Sequence, residues 1–370
     1  MPFWMRRLVL LYRYVRADRD RPDLDAFARM DDPEAFVWAI LPHAARTFAA
    51  CIALMPKRSA LPSAVAYLYC RMLDTYEDLV PDVAAREAAL MAFAARISTT
   101  DRLLAPAPTI DAAADRDERD RAHLLLVQRA QVVDRVFTTF DGPTREIVRD
   151  LVRDMAQGMC WSSATFAAQG GALESETQLT EYCRHVLGNP TLFGIRILRL
   201  HYGQTPTLSA AEREDAMRVR ELVQLANVTR DIEKDLRRGI AYDAALRGDL
   251  GREIPRVATV PDAGAAERCR AVRERLLRLA LKRAPSYPRV IESIHLPDWS
   301  IARASAVLML LFTERYYREC ARQVGITPWT GPDSTLGLLA HSLPATFSAN
   351  SGRVEMARVE REFLSAVAAR

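Results

Sequence analysis

From about residue 34 onward, apolar residues recur at intervals of three and four, the period of helices that bury one face, while alternating runs of the strand type are scarce. The pattern is interrupted by segments rich in Pro, Gly or charge at 54–62, 105–121, 140–143, 167–175, 202–209 and 252–264, each predicting the end of one helix and the start of another. Ser209 followed by Glu212 has capping-box spacing and predicts the start of a long helix. The segment 105–121 passes from Pro and Ala into a dense charge run and reads as a solvated loop. No fixed-period repeat or compositional shift marks a domain border. The expectation is an all-α protein with one large helical domain over 34–330. An N-terminal extension or helix at 1–33 would precede it, and a C-terminal loop and helix at 331–370 would pack on it.

Composition narrows the function. Hydrophobic residues make up 49% of the 370, with only 15 glycines, which is ample material for a sizeable helical core. The 51 basic and 47 acidic residues are mixed along the chain, so no nucleic-acid-binding stripe is present and anionic small molecules remain natural partners. Six cysteines without a CxxC and six histidines without an HxxxH suggest neither a disulfide framework nor a zinc site, and fit a reducing cytoplasm. No run approaches the roughly 20 apolar residues of a membrane span. The opening MPFWMRRLVLLYRYVRADRDRPD lacks a signal-peptide pattern, because Arg13 interrupts its apolar stretch. Its Arg- and aromatic-rich helix reads either as packing on the domain or as peripheral contact at the inner membrane face.

Two stretches carry the chemistry. In AVAYLYCRMLDTYED, Asp74 and Asp78 lie four apart on one helical face, with Arg71 and Tyr67 on the same stripe. Taken alone, this acidic pair reads most simply as a solvated helix end. After Ser209, however, Gln224, Asn227, Asp231 and Asp235 recur at intervals of three and four, lining one side of a single predicted helix. Two helices with carboxylates a turn apart suit Mg²⁺ held between protein and a diphosphate, since Mg²⁺ takes one or two carboxylates and fills its octahedron with water and phosphate oxygens. Arg71 and Arg230 would grip phosphate oxygens with planar guanidinium forks. A third pair of this spacing, Asp150 and Asp154, is flanked by Arg149 and Arg153 and reads as a surface ion-pair network.

With both motifs in view, the chain resembles the squalene/phytoene synthase family, the head-to-head branch of the trans-isoprenyl diphosphate synthases, over about residues 36–320. Arg46, Thr47 and Phe48 are similar to the family's Ser-Arg-Ser-Phe flap, YLYCRMLDTYED to the squalene-synthase form of its first aspartate-rich motif, and QLANVTRDIEKD to its second. EYCRHVLG resembles the helix between them and puts Tyr182 at the family's functional tyrosine. The resemblance implies an isoprenoid-synthase helical domain with a central apolar cavity and a prenyl diphosphate substrate, favouring farnesyl diphosphate. It implies metal ligation by Asp74, Asp78, Asn227, Asp231 and Asp235, and substrate binding by Arg46, Phe48, Arg71, Gln224 and Arg230. Tyr67 and Tyr182, with the aspartates, would be catalytic, their rings lying near the carbocation. NADPH is required only if the product is squalene.

The chain also departs from the family pattern. Ala-Gly-x-Val-Gly becomes Leu187-Gly188-Asn189-Pro190-Thr191, where a proline breaks or kinks a helix. Lys234 replaces a glutamate, Ile240 follows Gly239 in place of arginine, and Ala45 replaces the flap serine. Three other outcomes therefore stay open: cyclisation of a single prenyl diphosphate, a phytoene-type synthase using geranylgeranyl diphosphate, and a non-enzymatic prenyl-lipid-binding or assembly protein. Oligomeric state is unspecified by the sequence.

Overall fold

The computed structural model describes residues 3–16, 22–45, 47–99, 105–110, 117–185, 190–254, 263–326 and 329–368. Among these, helices are the only regular elements apart from one parallel bridge between Ala172 and Ala241, so the fold is all-α as the periodicity predicts. The breaks also fall where Pro, Gly and charge put them, except that the charge run resolves into structure: Asp117 caps a helix, Glu118–Gln128. Composition marks no border, yet the chain divides into two compact units that alternate in sequence, one of residues 1–160 and 188–207, the other of 161–187 and 208–370.

The first unit is built on the helix Lys57–Leu79, which carries the first aspartate motif near its end. Leu68, Tyr69, Met72, Leu73 and Tyr76 recur at helical spacing and are fully buried, with Tyr69 edge-on to Phe93 and Phe137 at 6.0 and 5.7 Å. The Tyr69 hydroxyl donates to Asp134 at 2.8 Å, and Asp134 accepts both Nη groups of Arg96, at 2.7 and 3.3 Å. Asp134 has no exposed surface, so this three-residue set satisfies a charge that would otherwise be costly to bury. It also fixes the rotation of the helix, leaving Tyr67, Arg71, Asp74 and Asp78 on the opposite, more open side. The N-terminal helix Phe3–Arg16 belongs to this unit. It buries Leu10 and Tyr14, and Arg7 donates to the carbonyls of Ala53 and Met55 at 2.9 and 3.0 Å.

In the second unit the capping box forms as expected, with the Ser209 hydroxyl and the Glu212 carboxylate each receiving the other's amide. The helix Ala210–Arg230 then runs beside the helices Ala263–Leu281 and Ile301–Gln323. It does not continue through the second motif as a single helix. Asp231 sits at a junction with φ −102° and ψ 15°, and a short helix, Ile232–Arg237, follows. One cause is local: the Thr229 hydroxyl donates back to the Leu225 carbonyl at 2.6 Å, a bond that bends helices. The i→i−4 amide bonds persist on either side, Asp231 to Asn227 at 3.0 Å and Asp235 to Asp231 at 2.9 Å, so both aspartates remain about a turn apart.

Two further contacts position this unit's functional face. Glu221, almost wholly buried, accepts Arg184 at 2.8 Å and Arg283 at 2.7 Å, tying the helix Glu176–His185 to the motif helix. The bridge at Ala172 and Ala241 requires Gly171, whose φ is +88° and where a Cβ would collide with the Gly239 carbonyl.

Candidate functional site

In the first unit, Arg71 organises the motif. Its Nε donates to the Ala44 carbonyl at 3.2 Å, one Nη to the Tyr67 hydroxyl at 3.1 Å, and the other pairs with Asp74 at 3.1 Å. The Phe48 ring lies 5.3 Å from that of Tyr67. Asp74 keeps 29% of its side chain exposed, and Asp78 is exposed. Burial nevertheless lifts the Asp74 carboxyl to about 6, with Asp78 adding to the rise and Arg71 and Arg119 opposing it. Arg119 was not singled out by the sequence; only the helix that starts inside the charge run brings it toward Asp74. Arg46 and residues 187–189 lie outside the described residues.

In the second unit, Arg230 lies in line with its own motif, donating from Nε and Nη2 to the two oxygens of Asp231 at 2.9 and 2.6 Å. Its guanidinium also rests 4.7 Å from the centre of the Tyr316 ring. Asn227 donates weakly to buried Gln224, at 3.4 Å. Asp235 is lifted by burial to about 6, with Asp231 adding and Lys234, Arg238 and a hydrogen bond from Tyr242 opposing. Tyr242 in turn meets the buried Tyr182, hydroxyl to hydroxyl at 3.2 Å and ring to ring at 5.0 Å, and Phe166 stands edge-on to both. Tyr182 is thus joined through Tyr242 to Asp235. Tyr242 and Phe166 carry no motif of their own, and Tyr242 follows directly on the Ala172–Ala241 bridge.

A buried clamp lies beneath the Asp231 junction. Arg273 donates to the Thr229 carbonyl at 3.1 Å and to both oxygens of Glu233 at 2.7 Å, spanning the last turn before the break and the first turn after it. The third acidic pair proves structural: Asp150 accepts Arg153 and also Arg196 at 2.7 Å, which ties down the helix Pro190–His201. Pro190 is the first residue of that helix, a position that needs no amide donor, so the proline is tolerated as a helix start.

The comparisons with known proteins now bear on both motifs. A family model described as squalene/phytoene synthase matches residues 41–324, a span that includes each of them. The chain belongs to the squalene/phytoene synthase family. This synthase is accordingly a prenyltransferase of the head-to-head type. Its fold is that of solved squalene synthase structures, complexes of TcSQS with the ligands E5700 and BPH1237. The first has a TM-score of 0.64 at 16% identity, covering 92% of this chain and 97% of the other. The second has a TM-score of 0.61 at 16% identity, covering 91% and 97%. No curated protein sequence is similar enough to match.

Members of this family are generally Mg²⁺-dependent. The donors in the two motifs fit such an ion. They are carboxylate and amide oxygens, the hard ligands Mg²⁺ prefers, and burial first, then a neighbouring aspartate, raises Asp74 and Asp235, a cost that a bound cation would relieve. Among the described residues no three His, Cys, Asp or Glu converge as a closed cage.

Proposed function

We propose that this synthase ionises prenyl diphosphates and joins two farnesyl diphosphates head to head, giving presqualene diphosphate and a squalene-type product. The observation that carries the reading is the pairing, within each motif, of partly open aspartates a helical turn apart with a guanidinium already at their edge. Asp74 and Asp78 in one unit, and Asn227, Asp231 and Asp235 in the other, are the candidate metal ligands. When bound, Mg²⁺ would neutralise charge on the departing diphosphate. Arg46, Arg71 and Arg230 would hold its oxygens, and Gln224 would orient Asn227. Departure of diphosphate leaves an allylic cation, and aromatic faces at Tyr67, Phe48 and Tyr182 would stabilise it while their bulk excludes water. Farnesyl diphosphate is favoured because the first motif has the squalene-synthase form, Asp74 to Asp78 with Glu77 between.

Cyclisation of one prenyl diphosphate is the second reading, favoured by the helix that restarts at Pro190 where the family has Ala-Gly-x-Val-Gly. Incubation with Mg²⁺ and farnesyl or geranylgeranyl diphosphate, with and without NADPH, separates the outcomes by product mass. A C30 hydrocarbon from farnesyl diphosphate supports the condensation, and its dependence on NADPH decides cofactor use. A C40 product assigns the phytoene-type reaction, and a cyclic C15 or C20 product rejects condensation. Among the described residues no helix is long and apolar enough to cross a membrane. A cytoplasmic location with peripheral membrane contact through Phe3–Arg16 is our reading, and Trp4, Leu8 and Tyr12, which form an exposed stripe on that helix, support the contact.

A further inference from the structure

The second unit holds a cation that neither motif includes. Arg315, on the helix Ile301–Gln323, is half-buried, with its guanidinium 5.3 Å from the centre of the Phe312 ring and 5.8 Å from that of Tyr316. Among the described residues it has no carboxylate or carbonyl partner. Several buried or half-buried arginines of this unit are matched: Arg273 by Glu233, Arg283 by Glu221, Arg358 by Glu314, and Arg303 and Arg318 by main-chain carbonyls. A guanidinium lying against aromatic rings keeps its in-plane N–H donors available, which is the edge that receives phosphate oxygens in pairs.

The Tyr316 ring is shared. Arg230, of the second motif, rests against it at 4.7 Å, so two guanidiniums lie against one ring while Asp231 is engaged by Arg230. Two guanidiniums and one carboxylate leave a net positive charge beside a half-buried ring, which favours an anion there. We propose that Arg315 is a second diphosphate-binding residue of this site and that Tyr316 is the platform holding Arg315 and Arg230 as a pair. The inference rests on the diphosphate reading given above and adds a residue to it. It also gives the helix Ile301–Gln323 a part in substrate binding beyond its packing against Ala210–Arg230.

Titration of the full-length protein with inorganic diphosphate in the presence of Mg²⁺, followed by calorimetry, tests this without turnover. Arg315→Gln should weaken binding by about tenfold or more, the loss of a charge-assisted pair, and should make the affinity less sensitive to salt, while the melting temperature stays close to wild type. Arg315→Lys keeps the charge and the helix but loses the planar fork, and should bind several-fold more weakly. Arg322→Gln alters an exposed arginine of the same helix that faces Asp333 at 3.4 Å, and should leave binding unchanged. Wild-type affinity and salt dependence in both Arg315 variants would overturn the assignment of Arg315 and leave the diphosphate site standing. A wild-type protein that binds no diphosphate with Mg²⁺ overturns the site and Arg315 with it.

Discussion

The two aspartate motifs present similar chemistry on different constructions. The first lies on the unbroken helix Lys57–Leu79, whose far side is fastened by Tyr69, Asp134 and Arg96, so its acids simply follow the helical repeat. The second straddles a helix break at Asp231, where Arg273 grips Thr229 on one side and Glu233 on the other. The starts differ as well, since Pro56 caps the first helix without a side-chain bond whereas Ser209 and Glu212 close a capping box on the second. A continuous helix sets the separation of its acids by backbone geometry alone. A broken one keeps local spacing through its amide bonds, and a tertiary clamp holds the bend between its two parts.

The strongest way to break this comparison is to remove the two braces. Arg273→Ala and Arg96→Ala each strand a buried carboxylate, and each should cost about 3–5 kcal/mol of unfolding free energy in urea melts. Arg273→Ala should also weaken Mg²⁺-diphosphate binding, because the Asp231 junction loses its clamp. If diphosphate binding survives Arg273→Ala at wild-type strength, the clamp is not what holds the bend of the second motif.

Next come the metal-facing acids. Asp78→Asn and Asp231→Asn should each lower turnover by roughly 10²–10³-fold at near-wild-type melting temperature, measured as product formed per enzyme. Unchanged turnover in either variant removes that residue from the site and makes the two motifs unequal.

A smaller effect runs in the opposite direction. Asp74 and Asp235 both have folded-state values raised from 3.8 to about 6, so the proton-bound form favours the fold. Their contribution is fully present below about pH 4 and is lost as pH rises through 6. Without Mg²⁺ at pH 8, Asp74→Asn and Asp235→Asn should therefore each stabilise the protein by about 1–3 kcal/mol, with no gain at pH 4. A gain at one position alone would show that burial strains only one motif.

The mildest change is Ser209→Ala. It should cost about 1 kcal/mol through loss of the capping box, seen as a lower melting temperature with turnover unchanged.

Much of this was legible in the residues. Helical period, break positions, the Ser209 box and the stripe of Tyr67, Arg71, Asp74 and Asp78 are local features, set by spacing along one element, and they reappear as expected. The reading of 105–121 as loop held only in part, because a dense charge run does not preclude a capped helix start at Asp117. The single helix expected through Asp235 failed at Asp231, where a threonine back-bond and a distant arginine outweigh propensity. Tyr242, Phe166, Arg119 and Arg315 were missed since each is ordinary in its own window and acquires meaning only from neighbours far along the chain.

The sequence by itself determined that the chain is helical and which acids, arginines and aromatic residues can share a helical face, because periodicity fixes side-chain direction within a helix. It also held the motifs through which the family is known. Only tertiary structure decided how each motif is braced, which carboxylates are pushed toward neutrality, and that Tyr182 reaches Asp235 through Tyr242 while Arg230 and Arg315 lie against the same ring. The physical reason is that desolvation, ion pairing and ring contact depend on distances between segments remote in sequence, which no local period encodes.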